Sequence, residues 1–93
     1  MHLDIRHQPN DQEFTATHAG YTAELAYSFP DEGVIDFSHT FVDEGLRGQG
    51  VADALAREAL AYARQQHLRV RTSCQFMANF VRRHHAEYQD LLA

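Results

Sequence analysis

The hydrophobic pattern of this chain first changes period inside a short glycine-rich stretch, and that change constrains the fold more than any other feature. Before it, Tyr21, Ala23, Leu25, Tyr27 and Phe29 alternate with Thr22, Glu24 and Ser28, the two-residue period of a strand with one face in a core. Pro30-Asp31-Glu32-Gly33 reads as a turn, Pro setting its φ and Gly accepting whatever φ the exit requires. From Val34 to Val42 the alternation resumes, with Ile35, Phe37, His39 and Phe41 opposite Val34, Asp36, Ser38, Thr40 and Val42. After Asp43-Glu44-Gly45 the spacing becomes helical. Val51, Ala52, Leu55, Ala56, Ala59, Leu60 and Ala63 form one stripe, while Asp53, Arg57, Glu58 and Arg64 fall mostly on the other side. Antiparallel strands therefore feed a long Ala-rich helix, whose small apolar residues let it pack close to a sheet.

The flanks extend this frame. Glu13 to Ala19 predicts another strand, closed by an Ala19-Gly20 turn. His67 ends the helix, and Leu68 to Cys74 alternates again as a short strand. Strand, helix, strand in that order is a βαβ unit, so the last strand should run parallel to the one ending near Val42. Phe76, Met77, Phe80, Val81 and His84 predict a shorter helix reaching about Arg83, with Tyr88, Leu91 and Leu92 docking the tail. The class is α/β (α+β): a mostly antiparallel sheet with one βαβ unit, a long central helix after the glycine loop and a short C-terminal helix. At 93 residues the expectation is a single domain, residues 1–93, around one modest core.

Composition removes several functions. Thirteen acidic against eight basic residues leave a formal charge of −5, which argues against a nucleic-acid partner. All eight basic residues are Arg, so no mechanism can use a lysine. The single cysteine, Cys74, cannot form an internal disulfide or by itself build a thiolate zinc site, and the seven His are scattered without ligand spacing, so no metal is expected. No run of about 18 apolar residues suggests a membrane span, and Met1-His2-Leu3-Asp4-Ile5-Arg6 lacks the apolar core of a signal peptide. A cytoplasmic protein is expected, monomeric or weakly dimeric through an exposed sheet edge.

The chemistry concentrates where the period changes. A strand runs into Asp43-Glu44-Gly45-Leu46-Arg47-Gly48-Gln49-Gly50, and the helix after it opens on Val51-Ala52 without bulk. A helix N-terminus offers unpaired N–H groups and the positive end of its dipole, a ready phosphate site. Gly48 and Gly50 allow an anion close to the backbone, and Arg47 can add a charge-assisted bond. A Walker loop is excluded because it requires Lys, and a dinucleotide fingerprint fits poorly because Asp53 stands at its third glycine. A glycine-punctuated helix start without any ligand would share this six-residue pattern.

Arg47-x-x-Gly50-x-Ala52 resembles the Arg/Gln-x-x-Gly-x-Gly/Ala pyrophosphate loop of the GNAT superfamily, the acetyl-coenzyme-A-dependent N-acetyltransferases. The longer series His39-Thr40-Phe41-Val42, Leu46 to Ala52 with Leu55, Ala63-Arg64 and the strand ending at Cys74 is similar to its small single-domain YjdJ-like subgroup, over roughly Val34 to Leu92. Gln75 and Phe76 depart from the Pro-Tyr pair that often follows the cysteine, and Phe80 stands where a Tyr is common. The resemblance implies acetyl-CoA as cosubstrate and an amine acceptor of unidentified nature. The thioester would enter between the strands ending near Val42 and near Cys74. The backbone of Phe41 and Val42 would pair with the pantetheine amides like an added strand, and Arg47, Gly48, Gln49, Gly50, Val51 and Ala52 would wrap the pyrophosphate. His39 is the expected base for the amine, and Cys74, activated by His39, the nucleophile of an alternative acetyl-thioester route. His39 as a core residue on the face of Phe37 and Phe41, and Cys74 as a small buried hydrophobe, are the competing readings. A coenzyme-A-binding module serving a protein partner is the alternative function. Because the chain lacks room for helices over the acceptor, that side of the site is expected to be open.

Overall fold

The structure is a computed structural model and describes residues 2–93. Five strands, β1 (Asp4–Gln8), β2 (Glu13–His18), β3 (Tyr21–Asp31), β4 (Val34–Val42) and β5 (Arg69–Arg71), form one sheet in sequential order. Its first three junctions are antiparallel and β4 pairs with β5 in parallel, as the βαβ argument requires. The crossover carries helix α1 (Val51–Gln65), and α2 (Gln75–Arg83) and α3 (His85–Tyr88) follow β5.

Local chemistry explains the turns. Ala19 and Gly20, at φ 53° and 83°, make the two-residue hairpin loop between the paired His18 and Tyr21. The next hairpin differs from expectation: β3 continues through Pro30 and Asp31, and the loop is Glu32-Gly33 alone, with Gly33 at φ 76°. Ser28 pairs with Asp36 and Asp31 with Val34, so Phe29 and Pro30 together oppose the single Ile35. Pro has no N–H for a ladder, and a bulge is where a strand tolerates it. The predicted stripe is buried only in its middle: Ala23, Leu25 and Tyr27 are buried, whereas Tyr21 and Phe29 at the ends of β3 are 47% and 46% exposed.

Strand β1 was not legible in the sequence. It is an edge strand that turns only Ile5 and His7 toward the core, opposite Ala16 and Phe14. Strand β5 is shorter than the predicted Leu68–Cys74. Helix α1 ends as its sequence suggests: His67 takes φ 57°, its N–H reaches Arg64 O, and Leu68 N–H reaches Ala63 O. That is a Schellman cap with His in the left-handed position.

The core lies between one face of the sheet and the helices. Phe14, Ala16, Leu25, Ile35 and Phe37 meet Leu55, Ala56, Ala59 and Leu60 of α1, and Met77, Phe80 and Val81 of α2 join them. Truncating a fully buried Phe such as Phe14, Phe37 or Phe80 to Ala would cost about 3–5 kcal/mol. On the other face Arg6, Thr15, Glu24, Ala26, Ser28 and His39 are all exposed or half-buried. The helices thus pack on one side and leave the other face of the sheet uncovered.

Candidate functional site

One inserted residue in β4 organises the site. Tyr27 pairs with Phe37 and Ala26 with His39, leaving Ser38 without a partner. A single extra residue reverses every side chain beyond it. Phe37 is buried, yet Thr40 and Val42, predicted to lie opposite it, turn toward the core side, while His39 and Phe41 are exposed. His39 therefore does not share the face of Phe37.

The strands part beyond this bulge. β4 and β5 pair only from Val34–Arg69 to Asp36–Arg71, with one further bond from Cys74 N–H to Phe37 O at 2.9 Å. Asp36 holds the departing chain by accepting from Ser73 N–H at 3.0 Å and Ser73 Oγ at 2.7 Å. The edge of β4 from Thr40 onward has no β5 partner. Its orientation follows from Asp43, whose N–H bonds Thr22 O at 3.0 Å and so faces β3. By antiparallel alternation the backbone groups of Phe41 belong to the ladder with Glu24, and those of Val42 point outward. Of the two residues expected to pair with an added segment, Val42 presents its backbone to the open edge and Phe41 does not. Phe41 instead exposes its ring, 40% accessible, on the uncovered face.

Cys74 lies at the mouth of this seam as the N-cap of α2, half-buried against the core. Its Sγ is 3.1 Å from Thr40 Oγ1. The expected His39–Cys74 pair is not what the fold assembles, because the bulge carries His39 to the opposite face and brings Thr40 to the thiol. Sequence reasoning passed over Thr40 and Asp36; only an alternation count that allowed for the bulge could have found Thr40.

The glycine loop folds into a 3-10 turn, Glu44–Leu46, with Leu46 buried as its anchor. Asp43 is structural: its Oδ2 accepts from Thr22 N–H at 2.8 Å. Gly45 passes so close to the Tyr21 ring that a Cβ there would come within 2.5 Å of it. Gly48 and Gly50 take φ 76° and 77°, with nothing within 4 Å of an added Cβ, so they border open space. Gly50 is the N-cap of α1, and no side chain among the described residues caps that end. Ala54 N–H to Gly50 O at 3.0 Å begins the helix ladder, so the N–H groups of Val51, Ala52 and Asp53 precede it.

These elements border a cavity of about 400 Å³ lined by Val42, Leu46, Arg47, Gly48, Gly50, Val51, Ala52 and Asp53. Arg47 Nε–H donates to Val42 O at 3.2 Å, and Gln49 Nε2–H donates to Gly45 O at 2.9 Å. Six of the eight residues expected to hold a coenzyme line this one cavity; Gln49 braces the loop behind it and Phe41 faces elsewhere. Asp53 brings a carboxylate into the same lining, offset by Arg83 at 3.8 Å. Away from the cavity, Arg71 pairs with Asp31 at 3.3 Å and Arg82 bonds Asn79.

The uncovered face is acidic near His39. Across the strands His39 aligns with Ala26 and Glu13, and Phe41 with Glu24 and Thr15. Burial first, then the neighbouring carboxylates of Glu24 and Asp11, raise the Glu13 carboxyl above its ordinary range. Among the described residues no group of three or more His, Cys, Asp or Glu is arranged to hold a metal, and no helix is long and apolar enough to cross a membrane.

A mostly antiparallel sheet whose edge splays open beside an uncapped, glycine-led helix is an architecture of the GCN5-related N-acetyltransferases. The family model described as GCN5-related N-acetyl-transferase matches residues 13–91, and the chain belongs to that family. Protein NATD1 of Bos taurus is 29% identical over 82 residues, which make up 86% of this chain and 73% of that protein. Protein NATD1 of Danio rerio is 27% identical over 89 residues, 92% of this chain and 81% of that one. The NMR solution structure of a GCN5-like protein from Staphylococcus aureus superimposes with a TM-score of 0.78 at 29% identity, covering 98% of this chain and 88% of that one.

Proposed function

We propose that the protein is an acetyl-CoA-dependent N-acetyltransferase acting on an amine. The observation that supports this most directly is that the outward backbone of Val42 and the uncapped start of α1 border the same cavity. In this reading the N–H and C=O of Val42 pair with the pantetheine amides, as an edge strand pairs with an added one. The backbone of Gly48, Gly50, Val51 and Ala52 meets the pyrophosphate, with Arg47 adding charge and Gln49 bracing the loop. The thioester then reaches the seam at Thr40 and Cys74.

The acceptor approaches from the uncovered face, where Glu13 and Glu24 attract a cation and His39 can take its proton. The free amine attacks the thioester carbonyl, the C–S bond breaks, and the coenzyme leaves as a thiol once reprotonated. Direct attack is favoured over an acetyl-Cys74 intermediate, because the partner of the thiol is the Thr40 hydroxyl rather than a base.

Thermal unfolding with coenzyme A tests binding: at 100 times its Kd the ligand should stabilise the fold by about 2.7 kcal/mol. Thiol release from acetyl-CoA across a panel of amines tests turnover. Stabilisation without release on any acceptor would leave a coenzyme-binding module, and no stabilisation would end both readings.

A further inference from the structure

We propose that Arg47 gates the open edge of β4. Its Nε–H donates to Val42 O at 3.2 Å, and that carbonyl is one that β4 turns outward beyond its last pairing with β5. Both residues line the cavity at the start of α1. An extended amide-bearing chain adding to this edge needs the same carbonyl, so it must displace the guanidinium. A diphosphate at the backbone N–H groups of Gly50 and Val51 supplies the displacement, because it offers Arg47 a charged acceptor in place of a neutral one. Arg47 is exposed and joined to the loop whose Gly48 takes a left-handed φ of 76°, so the side chain can swing without disturbing the core.

The gate makes the two halves of the ligand cooperate. Phosphate binding frees the Val42 carbonyl, and by thermodynamic reciprocity occupation of that carbonyl releases Arg47 toward phosphate. A phosphate-free pantetheine compound is therefore disfavoured by the resting protein, by about the fivefold that one competing hydrogen bond is worth. This rests on the reading of the cavity as a coenzyme site.

Pantetheine and inorganic pyrophosphate, each alone and together, test it by NMR titration. In the unaltered protein saturating pyrophosphate should shift the Val42 carbonyl ¹³C resonance and tighten pantetheine binding about fivefold, the effect of one hydrogen bond no longer in competition. Arg47→Ala should bind pantetheine about fivefold more tightly without pyrophosphate and lose the coupling, while binding coenzyme A about tenfold more weakly. If pyrophosphate leaves the Val42 carbonyl resonance unmoved, or Arg47→Ala binds pantetheine no better, the gate is wrong. Coenzyme A binding to the unaltered protein is the separate control: its absence would refute the coenzyme reading, whereas its presence with no pyrophosphate–pantetheine coupling would refute the gate alone.

Discussion

Thr40 Oγ1 and Cys74 Sγ meet at 3.1 Å across the seam where β4 and β5 part, and theirs is a side-chain hydrogen bond spanning that seam. Thr40→Val keeps the shape and removes the bond. It should lower stability by about 1 kcal/mol. In a domain of this size that is a fall in Tm of about 4–8 °C, read by calorimetry.

The same contact bears on chemistry. A hydroxyl does not draw the proton from Cys74 as an imidazole would. Incubation with acetyl-CoA should therefore leave the intact mass without an acetyl adduct on Cys74, and Cys74→Ala should retain most of its thiol-releasing activity. A +acetyl species that disappears in Cys74→Ala would reverse this.

Gly50 is required by backbone conformation and not by space. Gly50→Ala meets nothing within 4 Å but must hold φ 77°, a strain of about 1–2 kcal/mol for an L-residue. Urea denaturation should show that loss, and coenzyme A binding should fall with it. Gly45→Ala acts differently: its Cβ must push the exposed Tyr21 ring aside, so Tyr21→Ala should relieve its cost in a double-mutant cycle.

His7 predicts an acid-sensitive edge strand. Its ring stacks on Phe14 at 4.2 Å, meets Tyr62 edge-on at 4.5 Å and shares a 2.7 Å hydrogen bond with Tyr27 Oη. Burial there holds its pKa below the ordinary value of about 6.5. The unfolded chain then binds the proton more readily than the folded one, so stability falls as pH drops below about 6.5, until the folded His7 also protonates. Urea denaturation of His7→Phe between pH 7.5 and 5 should show a flatter pH dependence than the parent.

Asp53 opposes an anion in the cavity that it lines. Asp53→Asn should tighten coenzyme A by about two- to fivefold at low salt, with the gain fading as salt rises. Because Asp53 also favours the start of α1 and faces Arg83, the same change should cost roughly 0.3–1 kcal/mol of stability. Titration calorimetry and denaturation check the two signs separately.

Much of this was legible along the chain. β-branched and aromatic content located β2, alternation located β3 and β4, the helical stripes located α1 and α2, and Gly48 with Gly50 marked the loop before α1, because these are local properties of backbone and side chain. Asp4–Gln8 escaped because an edge strand with two core-facing residues carries almost no periodic signal. The face of His39 was misplaced for a different reason. A residue count assumes an unbroken pleat, and no side chain at Ser38 announces that the strand will bulge there.

The sequence by itself determined the order of elements from β2 to α2, the parallel crossover, the absence of lysine chemistry and the anion-favouring helix start. Tertiary structure decided which groups meet. Pairing with β3 makes Ser38 the extra residue, and that one insertion reverses the pleat, bringing Thr40 to Cys74 and sending His39 to the open face. Register is a property of two strands together, so it cannot be read from either one alone.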